Sequence, residues 1–189
     1  MSSALIQLQA TLGDEVLELD LASACRSVRI GGMGRLDLLA ELHKNEIELN
    51  PAGLELFAND KFTTSEVNAI LETVEITVDS LGFPRGTTIN KICERAVQLG
   101  MSLCPLELGP HLRLQYRDQP EGQLGHPPTQ RRAPPGSLTI ASPCISGDDD
   151  IPKGFYLRRI DGVLWLRGYR SGPEHIWSPE DHFVFVNSI

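Results

Sequence analysis

No Cys-x-x-Cys pair occurs in this chain, no His-Glu-x-x-His, no Gly-x-Ser-x-Gly and no Walker-type glycine loop. Those absences remove the zinc ribbons, thioredoxin-type redox centres, zincins, nucleophile-elbow hydrolases and P-loop phosphate binders that such spacings announce. No apolar run approaches the roughly 20 residues a membrane-spanning helix needs. The opening Met1-Ser-Ser-Ala-Leu-Ile-Gln-Leu-Gln9 has neither the basic n-region nor the long apolar h-region of a secretory signal. These features predict a cytoplasmic protein whose four cysteines, Cys25, Cys93, Cys104 and Cys144, stay reduced. Aromatic residues are only 6% of the chain, and no excess of positive charge exists: the formal net charge is −8. An acidic chain is ill suited to generic nucleic-acid binding, because phosphate neutralisation dominates that affinity.

The charge that is present is unevenly spread. Residues 1–72 carry five Lys/Arg against twelve Asp/Glu, a net of −7; residues 73–189 carry twelve against thirteen. The second part holds the arginines of a candidate local basic patch: Arg113, Arg117, Arg131, Arg132, Arg158, Arg159, Arg167 and Arg170.

Residues 1–30 fit two periods, since Leu17, Leu19 and Leu21 alternate as in a strand while Leu12, Val16 and Leu19 suit a helix. Val28-Arg-Ile30 reads as a short strand entering Gly31-Gly-Met-Gly34. A helix with Leu36, Leu39 and Leu42 on one face follows. Asn50-Pro51 is an N-cap with proline at the first helical position. Thr63-Thr-Ser-Glu66 fits a capping box, which predicts a helix presenting Val67, Ile70 and Leu71 inward. From Val74 the period changes to two. An amphipathic helix runs from Thr88 to Leu99, carries Cys93 on its apolar stripe, and ends at Gly100, a left-handed C-cap candidate. Leu112, Leu114 and Tyr116 alternate with polar residues and predict a strand. Residues 118–136 hold five prolines and three glycines and read as a loop or arm. Short strands are expected at Ser137–Ala141 and His182–Val186. The predicted class is α+β: a mainly helical acidic lobe over 1–72, then a mainly antiparallel sheet with at least one packed helix over 73–189, as two units or as one compact unit.

The stretch Phe155–Arg170 carries the strongest functional signal. Asp161-Gly162 predicts a type I′ hairpin turn. Pairing outward from it sets Ile160 opposite Val163, Arg158 opposite Trp165, and Tyr156 opposite Arg167. Leu157 and Leu166 fall on the other, aliphatic face. The first face interleaves guanidinium groups with aromatic rings, with Tyr169 at its far end, and that combination stacks, forms cation–π contacts and grips anions. Tyr156, Arg158, Trp165 and Arg167 are therefore the candidate ligand-binding residues.

The other chemistry-bearing residues give weaker patterns. His111, His175 and His182 offer an acid and base if they converge near Glu107, Glu174 or Asp181; no histidine spacing predicts a metal site. Gly31-Gly-Met-Gly34 reads as a turn, Asp148-Asp-Asp150 as a solvated acidic turn, and the cysteines as inert. The expectation is a non-catalytic binding or regulatory protein that holds an anionic small molecule or an acidic partner surface, without cofactor, metal or membrane. The rivals are an enzyme for a phosphate-bearing or nucleotide-like substrate, with an arginine clamp and a histidine acid/base, and a homodimeric assembly protein.

Overall fold

The structure, a computed structural model, describes residues 25–122 and 133–187, together with the backbone of a short antiparallel hairpin, β1 (Gln9–Leu12) and β2 (Glu15–Glu18). His126, Arg131 and Arg132 lie outside the described residues. The molecule is mainly sheet. Seven strands, β3 (Cys25–Ile30), β5 (Ala69–Thr77), β12 (His182–Asn187), β8 (Leu138–Ile140), β9 (Gly154–Ile160), β10 (Val163–Tyr169) and β4 (Glu48–Leu49), pair in that spatial order and curl into a half-barrel. An eighth, β7 (Met101–Ser102), pairs with β12. The sheet is mixed, with β8 parallel to β12 and β4 parallel to β10. A separate two-stranded ladder joins β6 (Thr87–Thr88) to β11 (Ile176–Trp177).

Alternation along each strand gives the sheet two apolar faces. One carries Val28, Ile30, Val184, Leu138, Phe155, Leu157 and Leu166, and it is covered by α1 (Arg35–Lys44), α2 (Pro51–Ala58) and α4 (Leu108–Gln115). The other carries Val74, Ile76, Phe183 and Phe185 beneath Ile92 and Ala96 of α3 (Ile89–Gln98). Several local signals act as their chemistry dictates. The Asn50 side chain caps α2 by accepting the Gly53 N–H at 2.9 Å, with Pro51 at the first helical position. Gly100 ends the α3 region with φ +84°. The Asp161-Gly162 turn has positive φ at both residues, and the β9–β10 register is Ile160↔Val163, Arg158↔Trp165, Tyr156↔Arg167.

The helical N-terminal lobe is overturned. Residues before 73 supply β3, β4 and the first half of β5 to the same sheet as β12, and their helices are short. No helix starts at Thr63. The Ser65 N–H is held by both oxygens of the Glu107 carboxylate at 3.2 Å, and the Ser65 carbonyl accepts from Gly32 at 2.9 Å. Those contacts dock the segment on α4, and the chain then enters β5 with Val67 and Ile70 exposed at 73% and 64%. The strand expected at 112–116 is helix α4. Leu108 and Leu112 bury one helical face, and Pro110 sits in the first turn, where its missing N–H costs nothing. In α1 the inward leucines are Leu38 and Leu42; Leu36 is 81% exposed.

Candidate functional site

The helices that pack on β9 and β10, α2 and α4, both lie on the aliphatic face of the hairpin. The opposite face carries Tyr156, Arg158, Trp165 and Arg167. Trp165 and Arg167 are half-buried, and the Arg167 guanidinium carbon stands 5.0 Å from the centroid of the Trp165 ring. Arg158 is only 9% exposed. The backbone at Gly122 covers it: Gly122 donates to the Arg159 carbonyl at 2.9 Å, and a Cβ there would stand 3.3 Å from Arg158 Nε. Burial pulls the Arg158 pKa down, and the neighbouring Arg167 cation adds to that effect. Glu121 is held at the hairpin tip, 3.4 Å from Arg159 Nε and accepting the Gly162 N–H. The Nε of Arg167 is buried with no acceptor among the described residues.

Beyond Tyr156 this face opens into a cleft of about 500 Å³. Its walls include Tyr156, Tyr169, His175 and Trp177, with Thr139 and Pro134 along one side. The rings are set edge-to-face: Trp177 meets Tyr169 at 5.6 Å and 90°, His175 at 5.0 Å and 87°, and Phe183 at 4.9 Å and 71°. Burial raises the Tyr169 phenol and lowers the His175 imidazole, so both favour their neutral forms. Trp177 is 4% exposed, and its indole N–H has no acceptor among the described residues. Arg170 also lines the cleft, but its guanidinium is engaged by Glu55 and by the Asp150 carbonyl.

The three histidines do not converge. His175 is in the cleft. His182 lies on the other sheet face, where its Nδ1 meets Glu75 Oε1 at 2.9 Å; Glu75 Oε2 is 3.0 Å from Arg26 Nη1, and Arg26 stacks on Tyr116 at 4.0 Å. His111 sits near the far end of β3 and accepts the Gly31 N–H at 3.2 Å through Nε2. Arg26 and Gly31 are five residues apart along the strand, about 16 Å. Glu107 Oε2 is 3.7 Å from His111 Nε2; burial pushes the carboxyl up and the imidazole down, and the two side chains hold Ser65 and the glycine turn through the backbone N–H groups of Ser65 and Gly31. The turn's amides are spent within the protein: Gly31 on His111, Gly32 on Ser65 and Gly34 on Asp37.

The remaining candidates also have structural partners. Lys153 approaches Asp149 at 3.3 Å and donates to the Asp148 carbonyl at 2.7 Å across the acidic turn. Burial raises the Cys93 thiol to about 11, and the buried Cys104 thiol donates to the Val184 carbonyl at 3.3 Å, so neither is a thiolate at neutral pH. Arg113 is in the core rather than in a surface patch. Among the described residues, no three His, Cys, Asp or Glu side chains are grouped to hold a metal ion, and no helix is long and apolar enough to cross a membrane.

The cleft residues Trp177 and Thr139, and the partners Arg26, Glu75 and Tyr116 of His182, carried no functional signal in the sequence. Strand pairing brings Thr139 to Tyr156 and sets Arg26 and Glu75 beside His182, while Tyr116 arrives from the end of α4 and Trp177 from the separate β6–β11 ladder.

The Glu75–His182 pair has a testable pH signature. The hydrogen bond to Glu75 raises the His182 pKa above 6.5. Burial alone would raise the Glu75 carboxyl, but hydrogen bonds from His182 and Arg26 outweigh it and hold the pKa below 4.5. The imidazole's contribution to stability is therefore complete below pH 6.5 and is lost as pH rises through the folded His182 value. That of Glu75 is complete above pH 4.5 and is lost as pH falls through its own folded value. An NMR titration of the His182 ring is expected to give a pKa above the ordinary one, and Glu75→Gln is expected to lower it. An unchanged titration in Glu75→Gln would refute the pairing.

Comparison with protein-family models, with curated proteins and with solved structures finds no match to this chain.

Proposed function

We propose that the protein is a non-catalytic binding or regulatory module that holds an anionic ligand on the Tyr156–Arg158–Trp165–Arg167 face. The observation that carries this reading is Arg167, a half-buried guanidinium stacked on Trp165 whose buried Nε has no acceptor among the described residues. An anion supplies that acceptor, and Arg158 beside it adds a second positive charge. Glu121 pairs with Arg159 at the hairpin tip, and its charge also reaches Arg158. An enzymatic reading needs a proton-moving group within reach of the same anion; His175 is the histidine nearest to that requirement, since it shares the cleft with Tyr156.

Inorganic pyrophosphate is the simplest probe. Calorimetric titration is expected to give saturable binding that Arg167→Ala weakens roughly tenfold or more, the loss of one charge-assisted hydrogen bond. Arg158→Ala with Arg167→Ala is expected to abolish it. Equal binding by wild type and both variants would end the proposal, as would the absence of binding to wild type.

A further inference from the structure

We infer that the cleft beside Tyr156 takes a planar heteroaromatic ring with a hydrogen-bond acceptor on its edge, while an anionic group of the same molecule reaches Arg167. The ligand class is then a nucleotide-like small molecule. This inference rests on the anion-binding reading above and deepens it.

Three observations carry it. The cleft, at about 500 Å³, is within the range of small-molecule sites, and aromatic rings form much of its wall. The Trp177 indole N–H is buried with no acceptor among the described residues, a state that costs roughly 1–3 kcal/mol and is relieved by a ligand acceptor. Trp177 is held from three sides by Tyr169, His175 and Phe183, so the donor is pre-positioned rather than free to turn toward water.

The spacing connects ring to anion. Tyr156 is the direct cross-strand neighbour of Arg167, and Tyr169 is two residues further along β10 on the same face. Two strand residues span about 7 Å. A ring seated against Tyr169 and Trp177 is thus one short linker away from the guanidinium. Other ligand classes fit less well. A cationic ring would meet the field of Arg167 and Arg158. An acidic protein surface would contact Arg167 without entering the cleft.

The test is two-dimensional NMR of the indole N–H groups. The chain has two tryptophans, and Trp177→Phe assigns the signals by removing one. Adenosine, adenosine 5′-monophosphate and ribose 5-phosphate are titrated in turn. Adenosine is expected to shift the Trp177 signal saturably, and the monophosphate to bind at least tenfold tighter than adenosine. Arg167→Gln is expected to bring the monophosphate down to adenosine's affinity while the Trp177 shift persists. A Trp177 signal unmoved by adenosine and by the monophosphate overturns the ring site, as does ribose 5-phosphate binding as tightly as the monophosphate. If pyrophosphate still binds through Arg167 in either case, the anion reading stands and only the ring site falls. The wild-type titration decides the matter even if Trp177→Phe does not fold.

Discussion

Gly168→Ala is expected to remove about 3 kcal/mol or more of folding stability. A Cβ at Gly168 would stand 2.5 Å from the carbonyl carbon of Ala52, 2.6 Å from its oxygen and 2.7 Å from the Gly53 nitrogen. All three are backbone atoms of α2, so no side chain can swing aside. Helix α2 cannot retreat cheaply either. The Asn50 side chain donates to the Gly168 carbonyl at 2.9 Å and accepts its N–H at 2.8 Å, while the same oxygen caps α2 through Gly53. Withdrawing the helix breaks those bonds and separates Phe57 from Phe155, whose centroids lie 5.6 Å apart. Urea unfolding checks this, with Gly147→Ala as the control. Gly147 has nothing within 4 Å of its added Cβ, so its effect is expected to stay within about 0.5 kcal/mol. Equal midpoints for Gly168→Ala and wild type would mean that α2 does not sit on β10 in this way. Because Gly168 lies between Arg167 and Tyr169, the same close approach fixes the strand that presents the anion contact and one wall of the cleft.

The hairpin, the cap of α2 and helix α3 were legible because each is specified by neighbours in sequence. Asp161-Gly162 fixes a turn, and the turn fixes every pair outward from it. What misled was sequence that satisfies two periods. Val67, Ile70 and Leu71 read as a helical stripe, yet Ile70 and Leu71 also fit a strand that runs on into Val74; pairing with β3 and the docking of Ser65 on Glu107 select the strand. Leu112 and Leu114 alternate, but Leu112 also stands four residues from Leu108, and Gly109 allows that helix to approach Phe155, where a Cβ would come within 2.9 Å. The candidate site divides in the same manner. Its arginine and aromatic residues lie on two consecutive strands and were visible together. Trp177 reaches the cleft through pairing with Thr87, and Thr139 through pairing with Tyr156, neither of which local pattern reveals.

Arg113→Ala is expected to cost about 2–3 kcal/mol and to disorganise the cleft from behind. Arg113 is fully buried on α4, and its hydrogen bonds among the described residues go to neutral oxygens. Burial lowers its pKa to about 10, so the cation persists at neutral pH at an electrostatic cost on the order of 3 kcal/mol. The guanidinium donates to Gln119 Oε1 and to the Tyr116 carbonyl. Gln119 in turn donates to the Gly136 carbonyl at 3.1 Å and the Leu157 carbonyl at 3.3 Å. One buried side chain therefore ties the end of α4 to both ends of the proline-rich segment and to β9, next to Tyr156. Truncation to alanine leaves a cavity, worth roughly 2–5 kcal/mol for a large side chain, and orphans Gln119 Oε1, worth roughly 1–3 more. Recovery of the cation's desolvation offsets part of that sum, which sets the net at about 2–3 kcal/mol. Arg113→Met separates the contributions: it refills most of the volume and recovers the desolvation, so its expected cost is only about 1–2 kcal/mol. Both variants are expected to weaken pyrophosphate binding more than their residual fold loss accounts for, because Gly136, Ser137 and Tyr156 lose their common anchor. Unfolding midpoints combined with pyrophosphate titration on the folded fraction measure this. A methionine variant as stable as wild type, with unchanged binding, would show that the Arg113–Gln119 tie does not hold the site.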